Sequence, residues 1–234
     1  LGDDQGDMFA KSMMPAICIY TGSELWGTLA VPYLDEDPKS MIIKLKVHQG
    51  IANHLLEGLF KKGFDPAYSE IQRPIGRPEH GASHAMIHPM PKLMPALDIP
   101  IVPVFLNEYF PPMPTAKRCW QLGKAIRSIL DTYPGKVAIY ASGGLSHDPT
   151  GPRAGWVDEP LDRWFLERIA KNEHNLLKSL FTFDSAALNG GTGELRAWIS
   201  VASAMDSHAE IVDYFASSHA KIGCGFAYWS RDGK

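Results

Sequence analysis

Val137-Ala138-Ile139-Tyr140-Ala141-Ser142-Gly143-Gly144-Leu145-Ser146-His147 carries an apolar, β-favouring run directly into paired glycines and a histidine. The run predicts a strand over 137–141, and the glycines predict a sharp loop after it, because glycine reaches backbone conformations closed to other residues. Open α/β sheets gather their ligands outside the carboxyl ends of the strands, which places His147 at a cleft. The competing reading is a plain tight turn with His147 on the surface.

Outward from this junction, strands and helices alternate. Pro15–Tyr20 predicts a strand, and Val31-Pro32-Tyr33-Leu34 an extended piece that its proline keeps out of a sheet centre. A helix is predicted from Asp37 as cap and Pro38 in the first turn, through Ile42, Leu45, Ala52, Leu55, Leu56, Leu59 and Phe60, to a stop at Gly63. Residues 65–96 are rich in Pro, Gly, His and Met without a period. Long irregular stretches in compact domains are commonly functional, so 73–92 is placed near the mouth of the site. Strand character returns over 97–105. A helix follows over 115–130, with Thr115 as cap and Trp120, Ile126, Ile129 and Leu130 inward, then helices over 159–170 and 194–205 and a strand over 226–229. This order predicts a single α/β domain whose central sheet, mostly parallel or mixed, is flanked by helices.

Composition agrees. The 234 residues are 45% hydrophobic and 21% charged, enough to bury one large core. A net charge of −3, from 23 basic and 26 acidic residues without long runs of either sign, argues against nucleic acid and against a membrane surface as partner. A small molecule is the default. Cys18, Cys119 and Cys224 are odd in number and far apart, which favours a reducing, cytoplasmic setting over a disulfide framework. No apolar run long enough to span a membrane and no signal peptide is visible.

Beyond the Gly143–His147 loop come Gly151-Pro152-Arg153-Ala154-Gly155, then Asp162 with Phe165-Leu166, then Gly190-Gly191-Thr192-Gly193-Glu194 leading to Trp198. In that order these elements resemble the class III extradiol ring-cleavage dioxygenases, the LigB-like superfamily of the protocatechuate 4,5-dioxygenase β-subunit and gallate dioxygenases. The resemblance is clearest over 137–206. At the other end, Asp3-Asp4-Gln5-Gly6-Asp7-Met8-Phe9 is similar to that family's N-D-H-x-x-x-F motif, with Gln5 in the place of the histidine. Leu1-Gly2-Asp3-Asp4 reads as the end of a strand entering a loop. By resemblance, roughly 40 to 60 residues are expected ahead of Leu1, carrying the first strand and the first metal-binding histidine.

The resemblance implies an Fe(II) cofactor held by two histidines and one carboxylate on one face of the metal, with open positions opposite. Glu194 matches the carboxylate ligand; by pattern alone it is only an acid in the first turn of a helix. Gln5 matches a histidine ligand, and a neutral amide oxygen is the weaker donor. The alternatives are that Gln5 serves, that Asp3, Asp4, His80 or His84 substitutes, or that the metal has been lost. His147 matches the catalytic acid and base, a role suited to a side chain whose ordinary pKa lies near neutrality. Ser146 and Asp148 flank it, either orienting the ring or the substrate or serving only as loop residues. A hydrolase reading with Ser146 as nucleophile lacks the G-x-S-x-G pattern.

His80, His84 and His88 fall four residues apart, but Pro78, Gly81 and Pro89 interrupt any continuous helix there. By resemblance His84 corresponds to a histidine beside the metal's ligands. Arg153 either meets a substrate carboxylate or fixes its own loop by an ion pair. The expected function is therefore oxygen-dependent cleavage of a catechol, protocatechuate or gallate-type ring. The expected partners are that small aromatic diol, O2, a second copy in a homodimer, and a small helical subunit of the kind some family members carry. The alternative is a non-catalytic binding or interaction protein of the same fold.

Overall fold

Ile17-Cys18-Ile19-Tyr20 (β1) is buried at every position, as a strand covered on both faces requires. This computed structural model describes residues 1–31, 34–149 and 151–230. They form two compact units, one of Leu1–Met113 with Ile129–Ser142, the other of Pro114–Ser128 with the chain from Gly143 onward.

In the first unit β1 is the middle of three strands. It runs parallel to Ala67–Ser69 (β4) and antiparallel to Val104–Leu106 (β5), with Cys18 opposite both Ala67 and Phe105. Gly2 extends this sheet by one position, bridging Phe105 and Ser142, both in parallel. The chain therefore leaves the sheet in the same direction at Asp3 and after Ser142. Gln49–Lys61 (α1) packs on β1 and buries Ala52, Leu55 and Leu59. The apolar core gathers Cys18, Tyr20, Leu25, Leu45, Met86, Ile87, Met90 and Phe105.

The helix expected from Asp37 onward is only partly present. Asp37 accepts a hydrogen bond from Lys39 N at 3.0 Å, but the turn it caps ends at Met41. Ile42–Lys46 (β3) then pairs antiparallel with Glu24–Thr28 (β2), Leu25 opposite Leu45 and Lys44 within 2.9 Å of Glu24. The Ile42-Ile43 pair and the Lys44-Leu45-Lys46 alternation suit a half-buried pleat. The true helix starts where His48 Nδ1 accepts from Ile51 N at 3.2 Å. Of the extended piece expected at Val31–Leu34, Pro32 and Tyr33 lie outside the described residues.

The strand expected over 137–141 is a second correction. Among the described residues, the segment meets the sheet only at its end, where Leu1 N donates to Tyr140 O at 2.8 Å and Ser142 N to Leu1 O at 3.0 Å. Val137 and Ala138 are exposed, so nothing apolar holds them in a ladder. The stretch 65–96 is more ordered than its composition implies. It contains β4 and two short helices, His84–Ile87 (α2) and Met90–Leu93 (α3), whose Ala85, Met86, Ile87 and Met90 enter the core.

The second unit holds Ala116–Leu130 (α4), the last two residues of which belong to the first unit, and Glu159–Ala170 (α5), His174–Ser179 (α6) and Leu195–Met205 (α7). Thr115 Oγ accepts from Arg118 N at 3.1 Å and Asp158 from Leu161 N at 3.1 Å, capping α4 and α5. Glu210–Ser217 (β6) and Ile222–Tyr228 (β7) form an antiparallel hairpin that packs on α5. The α/β class and the mixed sheet expected from the sequence are both present.

Helix α7 is buried from Leu195 to Ala204 and crosses α4 at Gly123, where a Cβ would overlap the Ser200 carbonyl oxygen. Backbone cannot yield as a side-chain tip does. Gly123→Ala is expected to lower the unfolding free energy by about 1–3 kcal/mol, the usual cost of overpacking, measured by chemical denaturation.

Candidate active site

Two groups of residues concern function, one in each unit. In the second unit, the Gly143–His147 loop and the turn Gly190–Glu194 that leads into α7 meet. Trp198 Nε1 donates to Gly143 O at 2.9 Å, and Gly144 N donates to Glu194 Oε2. Trp198 lies in the first turn of α7 and Glu194 directly precedes it, so this one junction holds the glycine loop at both contacts.

His147 is buried and its Nδ1 lies 2.9 Å from Leu145 O. A carbonyl only accepts, so Nδ1 carries a proton and Nε2 is the atom left to exchange one. Nε2 faces Glu194 Oε1 at 3.6 Å. The closeness depends on glycine: a Cβ on Gly191 would overlap the imidazole, and one on Gly144 would sit 3.0 Å from His147 Cε1 and overlap Ile222 Cδ1. The structure thus brings together His147 and Glu194, 47 residues apart in sequence.

Ser146 is fully buried and does not face this cradle. Its N–H donates to Asp162 Oδ1 at 2.7 Å and its hydroxyl to Asp162 Oδ2 at 2.9 Å, while the hydroxyl accepts from Asp158 N at 2.7 Å. Tyr214 on β6 donates a further bond to Asp162 Oδ2 at 2.9 Å. Burial raises the Asp162 carboxyl above its ordinary pKa, and the bonds from Ser146 and Tyr214 oppose the shift. The Tyr214 hydroxyl is pushed up by burial and by Asp162.

Arg153 closes on its own loop. Asp148 Oδ2 accepts from Arg153 N at 3.1 Å and lies 3.9 Å from Arg153 Nε, while Arg153 Nη2 donates to Asn189 O at 3.4 Å. Its guanidinium also covers the Trp156 ring at 4.9 Å. Of the two roles open to Arg153, this geometry displays the internal ion pair.

In the first unit, Asp3–Asp7 form a tight buried loop. Gln5 takes φ 51°, left-handed, with its N–H donating to Asp3 Oδ2 at 2.7 Å. Asp3 Oδ1 accepts from Glu108 N at 3.1 Å, and Asp4 accepts from Met8 N and Phe9 N, each at 2.9 Å. Burial raises the Asp4 carboxyl, and burial pushes Asp7 up to about 7 against the pull of Arg77. Arg77 Nε lies 2.7 Å from Asp7 Oδ1, and Arg77 Nη2 donates to Gln5 O at 3.3 Å. The region 73–92 thus meets this loop through Arg77 and through His80, whose Nδ1 is 3.3 Å from Asp7 Oδ1.

The three histidines do not share a helix. Gly81 is left-handed and α2 begins only at His84, which is exposed with its ring 5.8 Å from that of His88. Among the described residues, no three His, Cys, Asp or Glu side chains converge as a complete metal-binding set. Of this pair, Glu194 has the oxygen chemistry of a cation ligand, and the His147 imidazole beside it that of a proton acceptor.

Sequence reasoning met Asp162 only as a motif residue without a role, and it passed over Tyr214. A carboxylate on the apolar face of α5, between Asp158 and the core residues Phe165 and Leu166, is the signal that marks Asp162. Tyr214, on a strand not foreseen, offers none.

Residues 12–225 match the family described as the catalytic LigB subunit of aromatic ring-opening dioxygenase, and the chain belongs to that family. Its relatives include a gallate dioxygenase of Pseudomonas putida KT2440, 30% identical over 70% of this chain and 47% of that protein. Two others are called 2,3-dihydroxyphenylpropionate/2,3-dihydroxicinnamic acid 1,2-dioxygenase. The one from Photorhabdus laumondii is 30% identical over 70% of the chain and 46% of its own length. The other, from Pseudomonas putida, is 26% identical over 88% and 74%. The chain spans about half the length of the first two.

Asp162→Asn tests the anchor of the loop. An amide N–H2 cannot accept from the Ser146 and Tyr214 hydroxyls, so a loss of about 1–3 kcal/mol at pH 7 is expected in urea unfolding. Because its folded pKa is raised, Asp162 supports the fold most fully at low pH and loses that contribution as pH rises from about 4 upward. The variant should show a correspondingly flatter decline of stability with pH.

Proposed function

We propose that this chain is a ring-opening domain that cleaves a catechol, protocatechuate or gallate-type diol beside its hydroxyls, with O2 as co-substrate and Fe(II) as cofactor. The observation that carries this reading is the 3.6 Å approach of His147 Nε2 to Glu194 Oε1 in a cradle without Cβ atoms. Membership of the family and the names of its relatives support the reaction class.

In this reading Glu194 provides the anionic ligand, and the family pattern assigns Gln5 a further place. Bound iron would supply the redox chemistry, with Glu194 among the residues that would hold it. The remaining work falls to the chain. His147 accepts a ring hydroxyl proton at Nε2 and later returns it, while Nδ1–H stays on Leu145 O and keeps the ring from rotating. The Glu194 carboxylate steadies the imidazolium between these steps. The glycine walls let the His147 imidazole and Glu194 lie close against the backbone, and Ser146, tied to Asp162, holds the loop that carries the histidine.

Anaerobic Fe(II) titration followed by oxygen uptake with catechol, protocatechuate and gallate tests the assignment. His147→Ala is expected to lower kcat by about 100- to 10,000-fold while Fe(II) affinity stays within a few fold. Gln5 gives the second reading, a metal-free binding protein, its specific support. If the chain neither takes up Fe(II) nor consumes oxygen with any diol, that second reading replaces the first.

The left-handed position of Gln5 accepts histidine, one of the non-glycine residues enriched there. Gln5→His is therefore expected to fold and to tighten Fe(II) binding by about tenfold or more, read by equilibrium dialysis under argon.

A further inference from the structure

The β6–β7 hairpin has two unlike faces. Residues directly paired across strands, or two apart along one, share a face. Tyr214, Gly223 and Gly225 share the inner one, where Tyr214 reaches Asp162 and the glycines admit Asp162 and Leu145. Phe215 opposite Cys224, and Phe226 opposite Asp213, share the outer one with Ile222.

That outer face begins at the candidate site. His147 pairs antiparallel with Ile222, and a Cβ on Gly144 would meet both Ile222 Cδ1 and His147 Cε1, so the two side chains adjoin there. One two-residue step from Ile222, about 7 Å, reaches Cys224 and Phe215; a second, about 14 Å, reaches Phe226. Phe215 and Phe226 stack with centroids 6.3 Å apart at 30°, yet are 47% and 54% exposed. Neither strand carries a Lys, Arg or His, and the charged residues on this face, Asp213 and Glu210, are both acidic. The stacked Phe pair, with no cation on either strand to hold a carboxylate beside it, suits a neutral aromatic arm.

We propose that the outer face of this hairpin is a subsite for an apolar aryl substituent on the diol ring placed at His147. The proposal rests on the ring-cleaving reading and narrows it to diols with an uncharged arm, set apart from substrates whose substituent is a carboxylate. Ile222 is the hinge between the two parts, touching the cradle on one side and leading to the Phe pair on the other.

The test is anaerobic equilibrium titration of the whole chain, with and without Fe(II), using catechol and 3-phenylcatechol, in the unaltered protein and in Phe215→Ala and Phe226→Ala. The expected result is a preference for 3-phenylcatechol of about tenfold or more that falls toward unity in both variants. Both side chains are about half exposed, and near-ultraviolet circular dichroism verifies that the variants are folded. Equal affinity for the two diols in the unaltered protein, or a preference the substitutions leave intact, overturns the subsite. Conversion from dimer to monomer in sedimentation with the preference unchanged also overturns it and assigns the face to a second copy. Oxygen uptake is measured separately. Preference without uptake supports the subsite and refutes ring cleavage, whereas uptake without preference refutes the subsite alone.

Discussion

The buried carboxylate of Asp162 is the point on which the second unit's site depends. Three donors converge on it, the Ser146 N–H, the Ser146 hydroxyl and the Tyr214 hydroxyl. A buried hydrogen-bonding group left unmet in the interior costs about 1–3 kcal/mol, so each of these bonds counts. Helix α5, the Gly143–His147 loop and the β6–β7 hairpin are therefore held as one piece. Leu145 N donating to Gly223 O and Gly223 N to Ser146 O, both at 3.0 Å, complete the tie.

Upon that frame the cradle is made by omission. Three glycines stand where side chains would displace His147 or Glu194, and the backbone groups they expose are themselves used: Gly143 O by Trp198 and Gly144 N by Glu194. Close approach and orientation thus come from the same short segments. A histidine whose Nδ1 is fixed by a main-chain carbonyl presents a defined face without needing a carboxylate behind it.

Much of this was legible in the sequence because it is local. The bounds of α5 follow from Asp158, Pro160 and the apolar spacing of Phe165 and Ile169, and the glycine clusters mark both walls of the cradle. What sequence reading missed depends on distant partners. Residues 42–46 carry apolar positions compatible with a helix, and only pairing with β2 makes them a strand. Val137–Ala141 has the composition of a strand but lacks a ladder along most of its length. Strand β6 was invisible because Glu210–Ser217 does not alternate in polarity and six of its eight residues are exposed. Tyr214 and its bond to Asp162 were lost with it.

Gln5 occupies a left-handed backbone position that closes the turn begun by Asp3, so the loop dictates which residues are tolerated there before any metal does. Branched side chains are excluded by that geometry, while glutamine and histidine both fit. Their codons differ only in the third base. Exchange between an amide and an imidazole at this position is therefore a single-nucleotide event that asks nothing of the surrounding backbone, and a lineage can trade one side chain for the other without passing through an unfolded intermediate sequence.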